Sequence, residues 1–245
     1  MLADLYERVV EHPDTSHDPF MVKLRRQLST ASAEVVQLAA ELYYAYLLMP
    51  SNTGAATKRK QVQEILSWSP APVAVPSNLD RAFGNGIASV GAARAQVPQH
   101  MRFLLELARA WHALPAERRD AALKDPWAFK EFVFELPAHS AFVEREALLH
   151  LVHPDRFEPI VAREMKRQIV EQLSPRNRNS AADEDIDREL LAIRQRLEER
   201  FGSDFTFWDP QVAAHPPRAD PPPSEVCLLR DFYLHTKPAT NGATR

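Results

Sequence analysis

Apolar residues recur at helical spacing along most of the chain. The pattern is clearest between residues 186 and 201, and Gly202 follows it as glycine often follows the end of a helix. Residues three or four positions apart share one helix face, so this segment is predicted to be an amphipathic α-helix. The apolar stripe consists of Ile186, Leu190, Ile193, Leu197 and Phe201.

Similar stripes predict helices elsewhere, separated by prolines and polar turns. The pattern between residues 19 and 49 weakens at Ser29, Thr30 and Ser32, so either two helices or one kinked helix would fit it. Pro50 to Gly54 has the composition of a turn. The other main predicted helices occupy residues 2–10, 55–68, 104–114, 126–136, 142–152 and 159–173. Short helices are also predicted in the segment that begins PSNLDRAF and in PAERRDAAL.

The segment 127–173 is predicted to form the centre of the fold. It begins after Asp125 and Pro126, a pair typical of a helix start. The helix that follows is apolar on most sides, which is typical of a helix enclosed by neighbours. The residues expected in the core are Trp127, Phe132, Phe134, Leu148 and Ile169.

Composition favours an all-α protein. The 245 residues include 6 glycines and 20 prolines, so tight strand turns are few whereas helix boundaries are well marked. We therefore predict a multi-helix, bundle-like array followed by a disordered, proline-rich C-terminal tail. The predicted divisions are N-terminal helices in 1–52, a helical recognition or adaptor domain in 53–209, and a linker and tail in 210–245. The first two ranges would also be compatible with one packed domain.

The sequence carries features expected of a cytoplasmic protein. The single cysteine, Cys227, permits no internal disulfide bond. No run of eighteen apolar residues is present, and the first residues are charged without the apolar centre of a signal peptide. We expect no membrane association.

Motifs for catalysis are missing from the sequence. Gly86 and Gly91 have the spacing of the glycines in a phosphate loop, but Ala92 and Ala93 stand where lysine and serine or threonine are required. There is also no G-x-S-x-G or H-E-x-x-H motif. We expect both glycines to be turn residues, and we expect neither enzymatic activity nor a cofactor.

One group of residues resembles a metal site in composition. His150 and His153 are followed closely by Asp155 and Glu158, and imidazole and carboxylate groups are common metal ligands. Pro154 draws His153 out of helical geometry, however, and no second ligand pair follows. Histidines that form hydrogen bonds at a helix end are the favoured interpretation, and no metal site is predicted.

Two basic groups are candidates for nucleic-acid binding, although the formal net charge of the whole chain is −3. Positive side chains on one exposed surface would contact phosphates with steep salt dependence. The alternative is an ordinary solvated helix face with ion pairs, which charge alone favours. The first group is Lys58, Arg59 and Lys60, and the second is Arg163, Lys166, Arg167, Arg176 and Arg178.

Several phrases resemble the region that precedes the motor domain in McrB-like AAA+ proteins of modification-dependent restriction and related defence systems. They include PSNTGAATKRKQVQEILSWS, RFLLELARAWHALPAERR, DPWAFKEFVFELP, REALLHLVHPDRFEPIV and DIDRELLAIRQRLEERFGSDFTFWDP. The resemblance covers roughly 47–210 and consists of phrases typical of packing, without a catalytic signature. In that family a nucleotide-hydrolysing motor follows, whereas here a proline-rich segment follows.

The resemblance implies a recognition or adaptor role, since target or partner recognition is usually placed ahead of the motor. We therefore expect a non-catalytic helical module that binds DNA through its basic helix faces. The alternative is a scaffold that docks onto an AAA+ motor or nuclease subunit through the helix at 186–201.

Overall fold

The protein is all-α, as the sequence predicted. A computed structural model describes residues 1–84, 86–88, 96–137, 139, 141–174 and 186–213. Across these ranges there is no β-strand, and one isolated parallel bridge joins Pro50 to Ala88. The chain forms two compact units, Met1–Ala162 and Arg163–Arg245.

The first unit contains nine α-helices within its described residues. They are α1 (Leu2–Tyr6), α2 (Phe20–Gln27), α3 (Ala33–Leu48), α4 (Ala55–Leu66), α5 (Ser77–Asp80), α6 (Val97–Ala113), α7 (Ala116–Lys124), α8 (Pro126–Glu135) and α9 (Phe142–Val152). A π-helical segment, Glu7–Glu11, continues α1, and a 3₁₀ turn, Arg81–Phe83, continues α5. Of the two options that the sequence left for residues 19–49, the structure has two separate helices, α2 and α3, and not one kinked helix.

Helix α3 lies at the centre of the first unit. It packs against α1, α4 and α6 and against the 3₁₀ turn, so neighbours surround it on several sides. A helix that is apolar on most of its faces is stable only in such surroundings. Its buried side chains are those of Val35, Val36, Ala39, Ala40, Tyr43, Tyr46 and Leu47.

The prediction that the helix after Asp125 forms the centre was wrong. Helix α8 does begin there, and the Asp125 carboxylate accepts a hydrogen bond from the backbone N–H of Trp127 at 2.9 Å. The contacts of α8 are chiefly with α7 and α9, and only Phe129 and Val133 are fully buried on it. Three aromatic residues expected in the core are only half-buried, at the edge of the cluster. They are Trp127, Phe132 and Phe134.

The second unit is built on α10 (Arg163–Leu173) and α11 (Ile186–Phe201), which pack against each other. The apolar stripe of α11 is buried from Ile186 to Leu197, together with Ile169 of α10. Helix α10 begins at Arg163, four residues later than the start that Pro159 predicted. The bounds of α11 agree with the predicted helix.

The first unit joins residues from the first two predicted ranges, which the sequence also left open as one packed domain, and the second unit begins at Arg163. Helices α3 and α4, which lie on either side of residue 52, pack together in the first unit. Residues 210–213, assigned from sequence to the linker, form a short helix, α12 (Pro210–Ala213), in which Val212 is buried. The predicted disordered tail after residue 213 lies outside the described residues.

Candidate functional site

The first predicted basic group does not form one exposed surface. Lys58 is 0% exposed, because it shares the buried face of α4 with Val62 and Ile65, four and seven residues further on. Arg59 forms an ion pair with Asp80, and Lys60 is exposed. The prediction that all three side chains point outward was therefore wrong for Lys58.

The second basic group is also divided by the fold. Lys166 is 1% exposed, and its Nζ lies 2.7 Å from Oδ1 of Asp187, which is itself buried on α11. Arg167 is paired with Glu164 at 3.1 Å, and Arg163 is half-buried. Lys166 therefore holds α10 to α11 instead of facing solvent. Arg176 and Arg178 lie outside the described residues.

The turn before α4 packs tightly against the loop that contains Gly86. The N–H of Ile87 donates to the carbonyl of Met49 at 2.7 Å, and the N–H of Ser51 donates to the carbonyl of Ala88 at 2.8 Å. Gly86 has φ +63°, as expected of a turn residue, and a Cβ there would lie 2.3 Å from the carbonyl oxygen of Pro50. Glycine is therefore required for this close approach. Gly91 lies outside the described residues.

Lys58 is the buried cation nearest to this turn in sequence. Its Nζ makes no hydrogen bond, and burial lowers the pKa of the amine below its usual 10.5. Desolvation disfavours the charged form of a buried amine, which accounts for the direction of the shift. Among the described residues, the Lys58 amine therefore has no hydrogen-bond partner in the interior.

A second buried polar group lies between α6 and α9. Glu144 is 0% exposed, and one of its carboxylate oxygens lies 3.6 Å from Nδ1 of His100. Neither carboxylate oxygen accepts a hydrogen bond from a described residue, and burial raises the pKa of Glu144 well above 4.5. The ring of Tyr46 lies 5.3 Å from the His100 ring, so the imidazole fills space between an aromatic ring and a carboxyl group.

Helices α8 and α9 present aromatic rings beside cations, which we call the aromatic–cation surface. Phe142 at the start of α9 is 58% exposed. The guanidinium of Arg145 lies 4.2 Å from the centre of the Phe134 ring and 5.5 Å from that of Phe142, and the amine of Lys130 lies 5.5 Å from the Phe134 ring. Such distances are typical of cation–π contacts. The surface is defined by Lys130, Phe134, Phe142 and Arg145.

The two histidines considered as metal ligands bind backbone carbonyls. Nδ1 of His150 donates to the carbonyl of Phe157 at 2.7 Å, and Nε2 of His153 lies 3.3 Å from the carbonyl of Ala122. These contacts match the favoured interpretation of helix-end histidines. In the part of the chain that the structure describes, no three His, Cys, Asp or Glu side chains are grouped as metal ligands.

Comparisons with known proteins found no match among protein-family models, curated proteins or solved structures. Among the described residues, no helix is both long enough and apolar enough to span a membrane.

Proposed function

We propose that this protein is a non-catalytic helical adaptor that docks onto another protein through the aromatic–cation surface. The observation that carries the proposal is the 58% exposure of Phe142 beside the guanidinium of Arg145. Aromatic residues and arginine are enriched at the centres of protein interfaces, and an exposed phenylalanine gains free energy when a partner covers it. The proposed surface replaces the one expected on α11, whose apolar stripe is buried.

The partner class that we propose is an AAA+ motor or nuclease subunit. The support is the resemblance of 47–210 to the region that precedes the motor in McrB-like proteins. An adaptor without a phosphate loop would then contribute recognition, while the partner supplies nucleotide hydrolysis or strand cleavage.

The test is co-purification with the motor or nuclease product of a neighbouring reading frame. The two proteins should migrate together on size-exclusion chromatography, and Phe142→Asp should separate them. Leu123→Asp is the matched control, because Leu123 is a similarly exposed apolar residue on α7. Separate migration of the wild-type proteins would contradict the proposed partner, and equal loss with both variants would contradict the proposed surface.

DNA binding is the second proposal, with a smaller set of cations than the sequence indicated. Of the described members, Arg59, Lys60, Arg163 and Arg167 are at least partly exposed, whereas Lys58 and Lys166 are buried. The support is that Arg163 and Arg167 lie four residues apart on α10, a spacing that places both on one helix face.

DNA retention at low and high salt tests this second proposal. If the cations bind phosphates, Arg163→Glu with Arg167→Glu should abolish retention at low salt, and wild-type retention should fall steeply as salt rises. Lys166 is left unchanged in this variant, because its replacement would remove the ion pair with Asp187. Retention by the double variant equal to that of the wild type would exclude α10 as the DNA-binding face.

A further inference from the structure

The first turn of α9 is held in the interior by one ionisable side chain. Within residues 142–145, Glu144 is 0% exposed, whereas Phe142 is exposed and the other two side chains are half-buried. The fully buried apolar residues of α9 begin at Ala147, and before the helix the small side chain of Ala141 is buried. The position of this turn therefore depends mainly on Glu144.

The groups that face Glu144 leave its carboxyl group unsatisfied. His100 on α6 lies 3.6 Å from one carboxylate oxygen, which is longer than a hydrogen bond, and neither oxygen accepts a hydrogen bond from a described residue. Tyr46 on α3 lies against His100, with 5.3 Å between the ring centres. From α8, Lys130 lies over the Phe134 ring. A buried carboxyl group in these surroundings favours its neutral form.

Glu144 and His100 can hold one proton between them without net charge. The proton either makes the carboxyl group neutral or makes an ion pair with the imidazole, and the number of bound protons is the same. Loss of this proton leaves a carboxylate in the interior beside a neutral imidazole. The dipole at the start of α9 favours an anion there, but this effect is smaller than the cost of burying the charge.

Opening of the first turn of α9 would return the carboxylate to water. The N–H of Arg145 donates to the carbonyl of Ala141 at 3.0 Å, and this hydrogen bond would break. Few buried side chains would separate, so local opening needs less free energy than unfolding of the whole unit. Phe142 and Arg145 would move as well, since they lie on either side of Glu144 in this turn.

We propose that Glu144 is a pH-dependent switch for the aromatic–cation surface. While the pair with His100 holds its proton, Glu144 stays buried and the first turn of α9 presents Phe142 and Arg145. After the proton is lost, the turn opens and the surface loses this arrangement. The consequence for binding rests on the proposed docking function: a partner that binds the closed turn favours the protonated pair, so its affinity should fall as pH rises.

Amide hydrogen exchange of the full chain between about pH 7 and pH 8.5 tests the switch without a partner. The protection factor divides the intrinsic exchange rate by the observed rate, which removes the direct effect of pH on exchange. Above about pH 6.5, the ordinary pKa of histidine, the closed turn holds a proton that the open turn lacks. The protection factor of the Arg145 amide should therefore fall about tenfold for each pH unit, until pH passes the raised pKa of Glu144.

Two variants and one reference amide complete the experiment. In Glu144→Gln, the protection factor of the Arg145 amide should not change with pH, because no proton is released. Glu135→Gln, at an exposed position of α8, is the matched control and should retain the wild-type dependence. The amide of Leu104, a buried residue of α6, reports opening of the whole unit and should be better protected than that of Arg145.

A wild-type protection factor of Arg145 that is constant with pH would overturn the proposal. Equal protection of Arg145 and Leu104 would overturn it as well, because the turn would then open only when the whole unit unfolds. Both results come from the wild type and do not depend on how well a variant folds. The expected exchange result combined with failure of co-purification would contradict the docking function and leave the switch intact.

Discussion

Glu144 and Lys58 occupy buried positions that apolar side chains would fill without a charge to desolvate. Each lies on the apolar face of its helix: Glu144 precedes Ala147 and Leu148 by three and four residues, just as Lys58 precedes Val62 by four. A buried ionisable group that lacks full hydrogen bonding costs free energy of folding. Such groups make the stability of the fold depend on pH, and the part of this pH dependence that Glu144 causes can be measured.

We expect Glu144→Gln to be more stable than the wild type above neutral pH, by about 1–3 kcal/mol. The pKa of Glu144 is raised by burial, so the folded chain retains this proton at pH values where the unfolded chain has lost it. The stability that Glu144 contributes in its protonated form is therefore fully present below about pH 4.5, and it is lost as pH rises through the raised pKa. His100 faces the carboxyl group from α6, and an imidazolium there would reduce the loss.

Urea unfolding at pH 5 and pH 8 checks this expectation. The difference between Glu144→Gln and the wild type should grow with pH, whereas Glu135→Gln, at an exposed position of α8, should give a constant difference. A variant that is less stable than the wild type at pH 8 would show that the pair with His100 outweighs the cost of burial.

Burial also predicts different costs for two aromatic residues. Phe103 on α6 is fully buried, so Phe103→Ala should lower the free energy of unfolding by about 3–5 kcal/mol. Trp127 is half-buried against Phe157, so Trp127→Ala should cost clearly less than that. Chemical denaturation of both variants measures the order, and a larger loss for Trp127→Ala would contradict the position of α8 at the edge of the core.

At the scale of elements, the positions of helices were readable from the sequence but their neighbours were not. The spacing between Ile186 and Phe201 predicts α11, because a helix needs one apolar face wherever it packs. An enclosed helix such as α3 and a helix at the edge such as α8 both look apolar on most sides, and only tertiary contacts distinguish them. For the same reason, the sequence predicts one exposed group for the three adjacent cations at 58–60, whereas Lys58 is buried.

The candidate site was less predictable than the fold, because the contact between Arg145 and Phe134 joins two helices whose packing the sequence does not specify. The buried charges were also hard to predict. Lys58 and Glu144 are charged, and charge alone suggests exposure. Their spacing from apolar residues on the same helix was the available signal that they are buried. The contact between Gly86 and Pro50 could not be inferred, because nothing in the sequence relates two turns that lie 36 residues apart.

Gly86→Ala should disrupt the packing of these two turns. An alanine Cβ would lie 2.3 Å from the Pro50 carbonyl oxygen and would also require positive φ, so we expect a loss of about 1–3 kcal/mol. Gly54→Ala is the control, since Gly54 has φ −67° and open space around it. Thermal or chemical unfolding compares the two variants, and equal stability would contradict the close approach.

At the scale of the whole molecule, the first unit contains one hydrophobic cluster drawn from residues between Leu2 and Val161. A unit with its own core is expected to fold independently. A fragment of residues 1–162 should therefore unfold cooperatively and show a helical circular dichroism spectrum. A fragment that is unfolded at 25 °C would show that the remaining residues are needed to complete the first unit.

The enclosure of α3 also affects how the first unit exchanges its amide hydrogens with water. Helices at the edge, such as α8, can open locally, because few contacts must be broken. The middle of α3 cannot be exposed unless α1, α4 and α6 separate from it, so its amides should exchange only when the whole unit unfolds. The exchange rate of Tyr43 would then report the global stability of that unit directly.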